Sequence, residues 1–219
     1  GGGLVIQADS DLVGLTIDGI APLRKGAGEA LPLRVEKTSR TGQDDLRVTA
    51  GRLVGLHLER RRDGESMRLT RGVIALNEPA NLPESGMLVL VSMPRLDLEA
   101  WSSWLGLDLD ATSSSRPASA DSGFRVDYAA IRTAELVIGR RTFRNVTLGA
   151  TRTEAGGFDT NVVSDGAVGY IGWRPGPAGS TGGASLGHVT ARLSKLVIAA
   201  GKKSEVVDVL QTSSRQYPA

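Results

Sequence analysis

Apolar and polar residues alternate with a period of two along most of this chain, and that period calls for β-strands. Leu33-Arg34-Val35-Glu36-Lys37, Asp45-Leu46-Arg47-Val48-Thr49-Ala50, Leu56-His57-Leu58-Glu59 and Met67-Arg68-Leu69-Thr70 all follow it. Val146-Thr147-Leu148-Gly149-Ala150-Thr151 and Val189-Thr190-Ala191-Arg192-Leu193 repeat it later. Successive side chains of a strand point to opposite faces, so each run carries one apolar and one polar face. Gly86-Met87-Leu88-Val89-Leu90-Val91 is apolar on both parities, which predicts cover on both sides.

Glycine-centred turns separate the runs: Thr41-Gly42-Gln43-Asp44, Arg62-Asp63-Gly64-Glu65 and Glu154-Ala155-Gly156-Gly157 read as hairpin loops. The runs recur about every 10–15 residues, too closely for helical crossovers, which predicts antiparallel neighbours. The expected fold is therefore mainly all-β: one long, antiparallel, twisted meander, laid down strand by strand. The 28 glycines among 219 residues suit a chain with many turns and kinks and argue against a helical bundle. One short helix is expected near residues 97–105. Asp97 is placed to cap it, Leu98, Trp101, Trp104 and Leu105 form its apolar face, and Gly106 stops it. Such a stripe serves a core, so the helix is expected to plug one end of the sheet.

Residues 1–210 read as a single segment. The polar stretches 108–123 and 174–184 are expected to be flexible surface loops, and 211–219 a disordered tail. Strand-like runs stand near both ends, Leu4-Val5-Ile6 and Leu196-Val197-Ile198, with neither proline nor charge inside them. Open sheet edges are normally protected, so this pattern leads us to expect a piece of a longer sheet.

Little in the chain points to chemistry. It contains no cysteine, which removes disulfides, thiolate metal sites and cysteine nucleophiles. The two histidines, His57 and His188, lie far apart, and His57 falls on a polar parity expected to face solvent. Asp44-Asp45 and Asp108/Asp110 read as solvated loop acids, and Gly26-Ala27-Gly28 and Gly182-Gly183-Ala184 lack the context of a phosphate loop. Arg60-Arg61-Arg62 is the sharpest charge run, with Glu59 and Asp63 offsetting it. A net charge of +2 gives little general attraction for nucleic acid. No enzyme activity, metal or cofactor is expected. No run of 18 apolar residues crosses a membrane.

What remains is the apolar face. A long aliphatic face cannot be left in water. A second sheet could close it, giving a structural or adhesive β-sandwich with a sealed core. A groove that holds acyl chains would satisfy it equally, since lipid tails need no directional partners. A third class, a glycan-acting β-solenoid, needs clustered acids on one strand face, and the alternation does not supply them.

Several segments resemble the YhdP branch of the AsmA-like proteins. Asp11-Leu12-Val13-Gly14-Leu15, Ala21-Pro22-Leu23-Arg24-Lys25 and Leu31-Pro32-Leu33 are similar to that family's S-x-L-x-G-L, P-A-P-L-x-K and P-L elements. Pro94-Arg95-Leu96-Asp97-Leu98-Glu99-Ala100-Trp101 resembles its L-P-x-L-D-L-D-A-W segment. Gly139-Arg140-Arg141-Thr142-Phe143-Arg144-Asn145-Val146, the Ser164–Trp173 strand and Val189–Leu196 resemble later family strands, in the same order.

The resemblance implies a segment of a very long, periplasm-spanning protein anchored in the bacterial inner membrane. It implies a hydrophobic β-groove that carries phospholipid toward the outer membrane and maintains its barrier. The implied partners are phospholipid and, at the ends of the full-length protein, the two membranes. The resemblance implies that the family's N-terminal anchor and most of its length lie outside this segment. Val35, Val48, Leu56, Leu58, Leu69, Val89, Val91, Val146 and Leu148 are the expected groove lining, with Trp101 and Trp173 as wedges between sheet and loops.

Overall fold

The computed structural model describes residues 3–105, 125–176 and 187–197. The expected loop 108–123, most of 174–184, the tail 211–219, Asp108/Asp110, Gly182–Ala184 and the helix stop at Gly106 lie outside them. The strands are β1 (Leu4–Ser10), β2 (Leu33–Arg40), β3 (Gln43–Ala50), β4 (Val54–Asp63), β5 (Ser66–Leu76) and β6 (Gly86–Asp97). After helix α1 (Leu98–Leu105) come β7 (Tyr128–Ile138), β8 (Arg141–Arg152), β9 (Phe158–Val163), β10 (Ala167–Arg174) and β11 (His188–Leu196). All eleven strands form one open sheet in sequence order.

The mainly-β meander with one short helix is as the alternation predicts. Two pairings depart from the antiparallel expectation: β5–β6 and β6–β7 are parallel. The connections around β6 are not hairpins. Residues 77–85 cross one face of the sheet, and α1 stands between β6 and β7 in the chain. A parallel neighbour requires such a crossover, and only these two gaps are long enough within the central sheet.

The helix begins where expected. Asp97 Oδ1 accepts a hydrogen bond from the Ala100 amide at 3.0 Å, the geometry of an N-cap. The helix does not sit at an end of the strand order. It packs on β6 and β7, across the middle. Trp101 is buried against the sheet, while Trp104 turns outward and meets it edge-on, with ring centroids 5.9 Å apart.

The core lies under this helix. Leu76, Val91, Met93, Leu96, Trp101, Leu136 and Val146 form its buried centre. Ile20 and Leu23 pack against it from the loop that joins β1 to β2. That loop closes on itself: Leu31 donates to the Asp11 carbonyl at 2.7 Å, and Ile17 and Lys25 form a β-bridge. Lys25 is buried there, its Nζ donating to the carbonyls of Leu15 at 2.7 Å and Gly26 at 3.0 Å.

A break in the period of two runs across the sheet at this core. Buried positions step by three along β6 (Met93 to Leu96) and β7 (Thr133 to Leu136). β8 steps likewise from Val146 to the packed Phe143. Pro94, Ala134 and Asn145 fall out of the ladder register at the same line. Proline has no amide to donate, so a central strand accommodates it only at such a break. Asn145 adopts φ 53° there and its side chain bonds Asp165 Oδ2 at 2.9 Å.

Candidate apolar trough

The ladder registers place one continuous row of side chains across the whole sheet. It runs Ala8, Val35, Val48, Leu56, Ile74, Val89, Ala129, Ala150, Thr160, Ile171, Ala191, one residue from each strand. Directly opposed residues share a face, so this row lies on one side of the sheet. Strands stand ~4.8 Å apart, which makes the row about 48 Å long. Ten of the eleven are apolar, and none is sealed from solvent.

A flanking row on the same face runs Leu33, Ala50, Val54, Leu76, Val91, Ile131, Leu148, Val162 from β2 to β9. α1, Ile20 and Leu23 cover its centre. The row on the other side contains Ile6, Lys37, Leu46, Leu58, Gly72 and Met87 on β1–β6. It resumes with Arg152, Phe158, Trp173 and Val189 on β8–β11. This second row forms the rim toward one set of strand ends.

The nine expected lining residues all fall on this face. Val35, Val48, Leu56 and Val89 lie in the central row, Leu58 in the rim row, and Val91 and Leu148 in the covered row. Leu69 stands opposite Arg60 beyond a bulge, and Val146 opposite Thr133. Their environments differ. Val91 and Val146 are buried in the core, Val89 and Leu148 pack against it, and Val35, Val48, Leu56, Leu58 and Leu69 are half-buried. Trp173 is half-buried on the rim, between Phe158 and Val189 in register.

The opposite face is polar and ion-paired over β3–β4 and β9–β10 and apolar at β5–β6, where Val73 and Ala75 are fully buried opposite Leu88 and Leu90. Glu59 is 3% exposed, and its Oε2 accepts from Arg71 at 2.6 and 2.9 Å. Its Oε1 lies 3.1 Å from an Arg61 nitrogen. Arg71's hydrogen bonds, outweighing burial and aided by Arg61, hold the Glu59 carboxyl below the usual range. His57, expected at the surface, is buried beside this pair and sits 2.8 Å from Asp45 Oδ2. Asp44 and Asp45, expected in a loop, lie in β3; Asp45 is on this face, whereas Asp44 has the parity of the trough face and pairs there with Arg60 at 2.9 Å, beside Leu69. On β9–β10 the Tyr170 hydroxyl donates to Asp159, and Arg174 pairs with the same carboxylate at 2.7 Å. Tyr170 first, then Arg174, lowers the Asp159 carboxyl. His188 is exposed on the outermost strand.

Sequence reasoning missed Arg152. It sits on the apolar parity of β8, after Leu148 and Ala150, and its guanidinium lies over the Phe158 ring, 5.0 Å from the centroid. A charge on an otherwise aliphatic parity was the signal available. The cover by Ile20 and Leu23 had no period-two signature to reveal it.

Among the described residues no group of acidic or histidine side chains could hold a metal ion, and no helix is long and apolar enough to cross a membrane.

A single-layer, open β-sheet with a continuous, unsealed aliphatic strip defines the class: a β-trough. The family model described as YhdP protein matches residues 3–219, and the chain belongs to that family. No curated protein and no solved structure matches it.

Proposed function

We propose that this chain is a segment of a lipid conduit, with acyl chains lying along the trough floor. The full-length protein, in this reading, is anchored in the inner membrane, spans the periplasm and passes phospholipid toward the outer membrane, sustaining its barrier. The segment acts as a surface and carries out no catalysis. The observation that carries the reading is the unsealed apolar row from Ala8 to Ala191. An aliphatic strip about 48 Å long is costly in water, at roughly 25 cal/mol per Å² of apolar area. Family membership supports the same reading.

All eleven described strands belong to one sheet. A sandwich would need a covering layer from elsewhere, and α1 with the β1–β2 loop covers only the central part of the face. Native mass spectrometry of the purified chain tests the proposal. Co-purified phospholipid, displaced by added short-chain lipid, is the expected result. A lipid-free mass after extraction from membranes, with no uptake of added phospholipid, rejects it.

A further inference from the structure

We propose that Arg152 and Arg125 form a headgroup station on the rim of the trough, which takes the phosphate of a phospholipid whose chains lie on the floor. The inference rests on the conduit reading and adds a chemical selectivity to it.

Arg152 ends β8 on the apolar face, where the rim row passes from Met87 through residue 127 to Phe158 and Trp173. Its Nε donates to the Val126 carbonyl at 3.0 Å and one terminal nitrogen reaches the Gly156 carbonyl at 3.4 Å. A guanidinium has five N–H donors, so several remain to face a ligand. The Phe158 ring holds it by a cation–π contact. Among the described residues, neither Arg152 nor Arg125 pairs with a carboxylate. Asp127, two residues from Arg125, uses its Oδ2 on the Met87 amide at 2.9 Å, and Glu154, two residues from Arg152, is exposed and forms no ion pair with it.

Arg152 reaches the backbone next to Arg125 through the Val126 carbonyl, so this stretch of rim carries two cations with Asp127 as the acid beside them, an arrangement that a further anion improves. Burial first, then the like charge of Arg125, pushes the Arg152 guanidinium below the usual arginine range, with Asp127 opposing. A phosphodiester relieves both effects. Arginine forks match phosphate oxygens in a bidentate way that lysine does not. The adjacent floor supplies Ala150, Thr160 and Ile171 for the chains, and Thr160 is the only hydroxyl in the central row. The site thus has a polar mouth at the strand ends and an aliphatic bed beside it, the layout of a diacyl phospholipid lying across the sheet.

Calorimetric titration of the chain with monomeric dihexanoylphosphatidylglycerol, dihexanoylglycerol and inorganic phosphate tests the station. Phosphatidylglycerol is expected to bind about tenfold more tightly than the diacylglycerol, the scale of a charge-assisted pair. In Arg152→Gln that ratio falls toward one, while Arg152→Lys keeps part of it. Arg125 is exposed, so Arg125→Gln retains the fold and should lower the ratio about threefold even if Arg152→Gln does not fold. Equal affinity for the two lipids in the unsubstituted chain, or a ratio untouched by Arg125→Gln and Arg152→Lys, overturns the station and leaves the trough standing. Inorganic phosphate binding as tightly as the phospholipid would assign the arginines to a free anion and also overturn it. Failure of both lipids to bind removes the conduit reading, and the station with it.

Discussion

Glu59 and Arg71 face each other across β4 and β5, joined by two hydrogen bonds of 2.6 and 2.9 Å on the polar side of the sheet. The carboxylate is the buried partner, while both arginines that serve it reach solvent. Removing Arg71 leaves a buried charge with one partner, which costs about 3 kcal/mol. Glu59→Gln leaves only arginines that water can solvate, and should cost about 1 kcal/mol. Urea denaturation of both variants should rank Arg71→Ala as clearly the worse.

The same pair predicts an acid dependence. The folded-state carboxyl of Glu59 lies below its ordinary value of 4.5, chiefly through Arg71. The stabilisation is therefore fully present above that ordinary value and is lost as pH falls through the lower folded value. Denaturation midpoints taken from about pH 6 down to pH 3 should fall less steeply in Glu59→Gln than in the unsubstituted chain. Parallel curves would show that the pair does not contribute.

Leu58 is half-buried on the rim row, between Leu46 and Gly72 in register. Leu58→Asp puts a charge beside the trough floor without opening the core under α1. Phospholipid uptake should fall at least about tenfold, the effect of setting a carboxylate against acyl chains, while the circular dichroism spectrum stays that of a sheet. A chain that unfolds would instead mark this region as a sealed core.

Trp101 holds α1 to the sheet as a member of the buried cluster that includes Leu96, Leu136 and Val146. Trp101→Ala should cost about 3–5 kcal/mol and free the helix from the central face. Hydrogen exchange should accelerate in 98–105 before it does in β1–β4. Uniform acceleration would show that the helix and the sheet open together.

Gly55 marks where the 77–85 crossover presses on the face opposite the trough, over its apolar part at Ala75. A Cβ at this position would stand 2.7 Å from that of Ala80. Alanine side chains cannot rotate away, so the crossover itself would have to move. Gly55→Val should cost about 1–3 kcal/mol, and Ala80→Gly in the same chain should recover part of it. At Gly72 the crowding atoms are the ends of the Leu58 and Met87 side chains, so Gly72→Ala should be milder.

The sequence by itself determined which side of each strand is apolar. Alternation is a local property of the backbone, so Val35, Val48, Leu56 and Val89 could be put on one face before their partners were known. The capped start of α1 at Asp97 was equally local. Tertiary structure alone decided the two parallel pairings at β6, because strand order depends on where long crossovers return. It decided that Val91 and Val146 lie under a helix while Val35 and Leu58 stay open. It turned His57 from an expected surface residue into a buried one, held by Asp45 and beside Glu59. It also brought Arg152 onto the Val126 carbonyl, next to Arg125 in the chain, at one rim. Period two fixes a side chain's face, but burial on that face is set by what the rest of the chain lays over it.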